Sequence, residues 1–203
     1  MTWRLVLLAT CFLGIGLAAW GCSRRTSSEH AQRALMAPDD LLLKHRTIVL
    51  RGEISDRIAQ EVIAKLLFLQ HEDAKTPAWL YIDSAGGVVT SSLAIRDTIN
   101  DIKLPVFTHC LGKAAGAALV LLTHGAHGHR SASKTAWLSL VPLDSLDGSS
   151  APDELGRLER TLTDMLAADT GQKSEAIARD ASSSRRFDSA QARSYGLIDR
   201  IEE

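Results

Sequence analysis

LYIDSAGGVVTSSLAIRDTINDIK, residues 80–103, is the stretch whose reading decides the fold. It closes a β-rich run, AWLYIDS, that stops at Ala85, Gly86 and Gly87. Helical spacing then begins at once, with Val88, Ile95, Ile99 and Ile102 on one face. A strand that ends in a glycine turn and feeds a helix is the repeating unit of an α/β domain with parallel strands.

The same unit recurs on both sides. Upstream, TIVLRGEI reads as a strand ended by Gly52. The following SDRIAQEVIAKLLFLQHED reads as a helix capped by Ser55, with Ile58, Val62, Leu66 and Leu69 on one face. Downstream, LPVFTHCLG is a third strand and AAGAALVLLTHG a third helix. The strands HRSASK and AWLSLVP come next. In such folds ligands gather where strands end and helix N-termini present free amides. Two turns qualify, residues 83–89 (DSAGGVV) and 110–118 (CLGKAAGAA).

After Pro142 the pattern changes. LDSLDGSSAPDE is loop-like, and Pro152 then opens a helix at the position proline tolerates best. Leu155, Leu158, Leu162 and Met165 form a narrow seam on it, and Gly171 is placed to end it. The seam reads equally as a face for a neighbouring subunit and as packing on its own domain. Two short helices and a last strand, GLIDRIEE, close the chain.

The N-terminal residues 1–22, MTWRLVLLATCFLGIGLAAWGC, have the shape of a secretory signal: Arg4, an apolar run over residues 5–20, then Cys22. The cysteine after AAWG resembles a bacterial lipobox, which points to lipidation at Cys22 and a lipoprotein on the periplasmic side. The rival reading is an uncleaved membrane anchor. Residues 23–40 are polar and read as a tether, and residues 41–203 as the folded domain. Net charge is −1, with basic residues interleaved among acids, so no electrostatic case exists for nucleic acid. With Cys11 in the apolar run and Cys22 at its end, Cys110 has no intramolecular disulfide partner.

Taken in order, residues 41–73, 80–103 and 110–130 and the tail TGQKSEAIARD, RRF and AQARSYGLIDRI resemble the Clp protease proteolytic subunit. The likeness spans residues 41–203. It implies a crotonase-like α/β fold, a stacked ββα superhelix with a protruding handle helix. It implies subunits joined into rings through that helix, and a serine protease triad in a chamber fed by a partner ATPase. The family's oxyanion-hole amides fall on Gly87 and Ala117. Its nucleophilic serine falls on Gly116, its histidine on Leu140, and its aspartate at Ser184 or Arg185, with Asp180 and Asp188 flanking. No histidine follows His129. A glycine cannot carry an acyl group, so the resemblance implies a pseudoprotease.

Three replacements for the missing chemistry suggest themselves. Ser131 and Lys134 in SASK match a Ser-x-x-Lys pattern that works only on a helix, whereas this run reads as strand. Lys113 and Ser139 lie near the emptied site. HGAHGH, with His124, His127 and His129, invites a metal, although exposed substitution in a turn is the blander reading. The expectation is no metal and no cofactor. Three functions follow from the resemblance: an oligomeric scaffold or peptide-binding pseudoprotease, a noncatalytic subunit of a mixed ring, or acyl-group chemistry on the remaining oxyanion hole. The last needs a carboxylate, for which Asp83 is the candidate, read as structural. Export would separate the chain from any ATPase partner, and the family's ATPase-facing segment reads here as the polar tether.

Overall fold

The computed structural model describes residues 38–142 and 152–202. Residues 1–41 and 42–203 form two compact units, and the first is described only from Pro38. The expected signal, Cys22 and most of the tether therefore lie outside the described residues, as do residues 143–151.

A seven-stranded sheet organises the chain. Strands β1 (Thr47–Arg51), β2 (Ala78–Ser84), β3 (Val106–Ala115), β4 (Arg130–Ser133) and β7 (Arg200–Glu202) lie side by side in that order. All of these pairs are parallel. Strand β5 (Trp137–Ser139) joins β3, and β6 (Arg186–Asp188) pairs antiparallel with β5. Parallel pairing needs crossovers, and helices α2 (Asp56–Glu72), α3 (Val89–Asp101) and α4 (Ala117–Thr123) supply the first three. The fold class is the α/β arrangement expected.

Ser55 caps α2, its Oγ accepting from the Ile58 amide at 3.4 Å. Val62, Leu66 and Leu69 are buried as the spacing predicts, and Ala59 completes that face while Ile58 is half-buried. Helix α4 differs: all seven of its residues, AALVLLT, are buried. A helix apolar on every side belongs inside a core, and α4 lies against β3 with α3 and α5 (Pro152–Thr170) packed beside it.

Strand β3 serves two neighbours. Thr108–Cys110 pair with β4, and Lys113–Ala115 pair with β5. Between them the register with β2 slips, from Ile82 opposite Cys110 to Ser84 opposite Ala114. Extra residues in one strand bend it and raise its twist. The bend swings the end of β3 from β4 to β5 and aims the turn after Ala115.

Three sequence expectations need correction. Residues Pro38–Lys44 form a helix, α1, where the sequence reads as tether up to residue 40 and marks no element before the strand at Thr47. Pro38 at its start, Asp39 and Asp40 in its first turn and Lys44 in its last all suit the helix dipole. Strand β3 runs on through Ala115, so the glycine–alanine run is strand and the turn is Gly116 alone. Strand β6, three residues reading RFD, is too short to leave a period in the sequence. It precedes α7 (Ser189–Tyr195) and follows α6 (Ser174–Ser182).

The seam of α5 turns inward. Leu162 and Leu166 are each 6 % exposed within the chain's own core, and Leu158 and Met165 pack partly buried against it. Leu162 is therefore part of the domain's own interior. The Leu155 side chain lies outside the described residues. Gly171 ends the helix with a positive φ of 73°, its amide donating to the Ala167 carbonyl at 2.9 Å.

Candidate functional site

Two turns meet at the C-terminal end of β2 and β3. At the first, Gly87 has φ 147° and bridges Ile54. The Ile54 amide donates to the Gly86 carbonyl at 2.8 Å, and Val88 N donates to the Ile54 carbonyl at 2.7 Å. At the second, Gly116 links strand to helix with φ 52° and ψ −125°. Such a backbone is rare for any residue with a side chain, and a sharp strand-to-helix turn of this kind is where hydrolases mount a nucleophile.

The turns touch. A Cβ on Gly86 would stand 3.2 Å from Ala117 N and 3.0 Å from the Ala115 carbonyl oxygen. Glycine at that position keeps the space beside the Ala117 amide open. Ala117 is the first residue of α4, so its N–H has no partner within the helix. The two expected oxyanion donors, Gly87 and Ala117, thus sit on adjoining turns whose backbones are held from outside the site.

The positions carried over from the resemblance are also gathered. Gly116 N donates to the Ser139 carbonyl at 3.3 Å, and Leu140 N donates to the Arg185 carbonyl at 3.0 Å. Gly116, Leu140 and Arg185 are therefore laced together by main-chain bonds that no side chain supplies. Leu140 is 2 % exposed and, with Gly116, Val120, Leu162, Leu166 and Ile177, lines a cavity of about 30 Å³. That is room for about one water molecule.

The flanking acids are already engaged. Asp180 accepts from Arg185 Nη1 at 2.8 Å and from the Tyr195 hydroxyl at 2.7 Å. Burial, then the Asp180 hydrogen bond, holds the Tyr195 phenol well above its ordinary range. The Arg185 guanidinium lies over the Phe187 and Tyr195 rings. Asp188 is the N-cap of α7, in a reciprocal capping box with Gln191.

The other sequence candidates disperse. Ser139 Oγ donates to the Leu140 and Arg185 carbonyls, each at 3.2 Å, and it is 3 % exposed, so it has no free proton for Lys113 to take. Ser131 is fully buried on β4 while Lys134 is exposed, which separates the Ser-x-x-Lys pair. His124 Nε2 donates to Asn100 Oδ1 at 2.9 Å and Nδ1 lies 3.5 Å from Asp169, whereas His129 stacks on Phe107 and bonds Arg200. His124 and His129 are thus structural rather than the exposed turn substitutions expected. Among the described residues no group of three His, Cys, Asp or Glu is placed to hold a metal. Burial, then the charge of Asp83, pushes the Cys110 thiol up to about 12, which leaves it inert as a nucleophile. Asp83 itself faces Gly112, whose Cβ would stand 3.0 Å from its Oδ1, and it does not line the cavity.

One acid was missed by the sequence reading. Glu159 and Thr163, one turn apart on α5, line the cavity beside Gly116. They lie next to Leu158 and Leu162, so a search for apolar spacing passes over them.

A parallel sheet whose strand ends present adjoining amide turns over a small cavity is of the crotonase-like class. Within it, the family model described as Clp protease matches residues 30–203, and the chain belongs to that family.

Proposed function

We propose that this chain is a proteolytically inactive Clp-family subunit, tethered to a membrane through Cys22 or the apolar segment before it, that acts as an oligomeric scaffold or peptide-binding protein. The observation that carries this reading is the cavity at Gly116. Its walls are mostly aliphatic, and the positions that the family fills with nucleophile, base and acid hold a glycine, a buried leucine and an arginine paired with Asp180. Acyl transfer to the enzyme needs a nucleophile and a base in contact, and those three family positions supply no such pair. No described helix is long and apolar enough to cross a membrane, so the tether rests on residues 1–22 alone.

The test is a peptidase assay on the full chain in detergent, from a host lacking its own Clp protease. Fluorogenic peptide amides should show no turnover above buffer. Turnover by the purified chain overturns the reading. Lipid attachment is checked separately: metabolic labelling with a radioactive fatty acid should vanish in Cys22→Ala, and label that persists removes Cys22 from the proposal.

Glu159, in the cavity at Gly116, favours a second reading, acyl-group chemistry in which the Gly87 and Ala117 amides hold a thioester oxygen and that carboxylate serves as the acid or base. The same preparation given a short acyl thioester separates the two, since hydrolysis lost in Glu159→Gln would select the second.

A further inference from the structure

Away from the Gly116 turn, β3 and β4 bring together three side chains that neither reading above uses. His109 on β3 lies between two serines of β4, with Nδ1 2.8 Å from Ser131 Oγ and Nε2 3.1 Å from Ser133 Oγ. The pairing follows from register, because His109 stands opposite Ser131 and residues two apart on a strand share a face. His109 is 5 % exposed and Ser131 fully buried, whereas Ser133 is half-buried.

The direction of these bonds can be worked out. A serine hydroxyl has one proton, and Ser131 gives its proton to the Thr108 carbonyl at 3.3 Å. With that proton so placed, Ser131 Oγ accepts from His109 and the imidazole proton sits on Nδ1. The Nε2 lone pair is then left facing Ser133, whose hydroxyl makes no other hydrogen bond among the described residues. Burial holds the His109 pKa below its ordinary value, against the opposing charge of Glu202, so the ring is neutral near pH 7. Tyr81, 5.2 Å away ring to ring, is the other titratable group against it.

We infer that Ser133 and His109 form a nucleophile–base pair, oriented by Ser131, that acts on carboxylic esters with an aromatic or apolar group. A hydroxyl in contact with a base whose far nitrogen is fixed by a third group is the arrangement that activates a serine. Ser133 Oγ attacks the ester carbonyl carbon and its proton passes to His109 Nε2. The tetrahedral centre then expels the alcohol, which takes that proton from Nε2. Water, deprotonated by the same nitrogen, cleaves the acyl-serine and restores the hydroxyl, so that ester and water become acid and alcohol. The preference for an aromatic group rests on Trp79, Tyr81 and Phe107. Their half-buried rings run in contact from one to the next beside His109.

The full chain is treated with a fluorophosphonate, and the adduct is located by mass spectrometry of the digested protein. Attack there forms an Oγ–P bond and releases fluoride. The adduct is expected on Ser133, forming at least about tenfold more slowly in His109→Gln. Hydrolysis of p-nitrophenyl butyrate should fall to the buffer rate in Ser133→Ala. Mapping on the unaltered chain needs no variant to fold. No adduct on Ser133, while a serine esterase in the same tube is fully labelled, overturns the inference. So does a rate unchanged in a folded His109→Gln. Esters and phosphonates read this pair whereas peptide amides read the Gly116 site, so the two proposals fail independently.

Discussion

Gly87→Ala is expected to destabilise the domain by about 3 kcal/mol or more, the sum of backbone strain and overpacking at one position. The added Cβ would lie 2.3 Å from the Ile54 carbonyl oxygen and 2.5 Å from Ile54 N. Both are main-chain atoms, and both are held by hydrogen bonds to the same turn, so neither can move aside cheaply. The φ of 147° adds strain that any side chain would feel. Gly52 is the internal control. Its φ is 75°, yet nothing lies within 4 Å of a Cβ there, so Gly52→Ala should cost only about 1 kcal/mol. Urea unfolding followed by circular dichroism reads both. Equal midpoints for the two variants would show that the Ile54–Gly87 contact is not as close as described.

Asp199→Asn should cost a similar amount, about 3 kcal/mol, because it strands a buried guanidinium. The Arg130 side chain is 5 % exposed. Its Nε and Nη2 donate to Asp199 at 3.0 and 2.7 Å, and Nη1 reaches the Asp169 and Thr123 carbonyls at the ends of α5 and α4. The Asp199 carboxylate also accepts from the Gly128 and Arg130 amides. One ion pair therefore joins β4, β7 and two helix ends. Burial alone would raise the Asp199 carboxyl, but the Arg130 hydrogen bonds and charge outweigh it and bring it from 3.8 to about 2. A depressed carboxyl stabilises the fold above its unfolded value and loses that contribution as pH falls. The wild-type chain should thus lose this stability between pH 3.8 and about 2, and Asp199→Asn should show a flatter profile across that window. Parallel acid titrations for the two chains would refute the assignment.

The strand–helix alternation was legible because each parallel strand is a short apolar run and each crossover a periodic one. β1, β2, α2 and α3 follow from single stretches of sequence. What failed to show were features set by partners far along the chain. β6 becomes a strand because β5 offers it an edge. The true end of β3 depends on the bulge against β2, not on where glycine first appears. At the candidate site the glycines were readable, since turns need them locally. Glu159 was not, because it reaches the cavity only once α5 is seated by Leu162 and Leu166. The pairing of His109 with Ser131 and Ser133 was equally hidden: 22 and 24 residues separate them, and only strand register makes them neighbours.

The main-chain lacing of Gly116 to Ser139 and of Leu140 to Arg185 carries a further consequence. Because amides and carbonyls tie that corner together, its two cross-links do not draw on the side chains of Leu140 or Arg185.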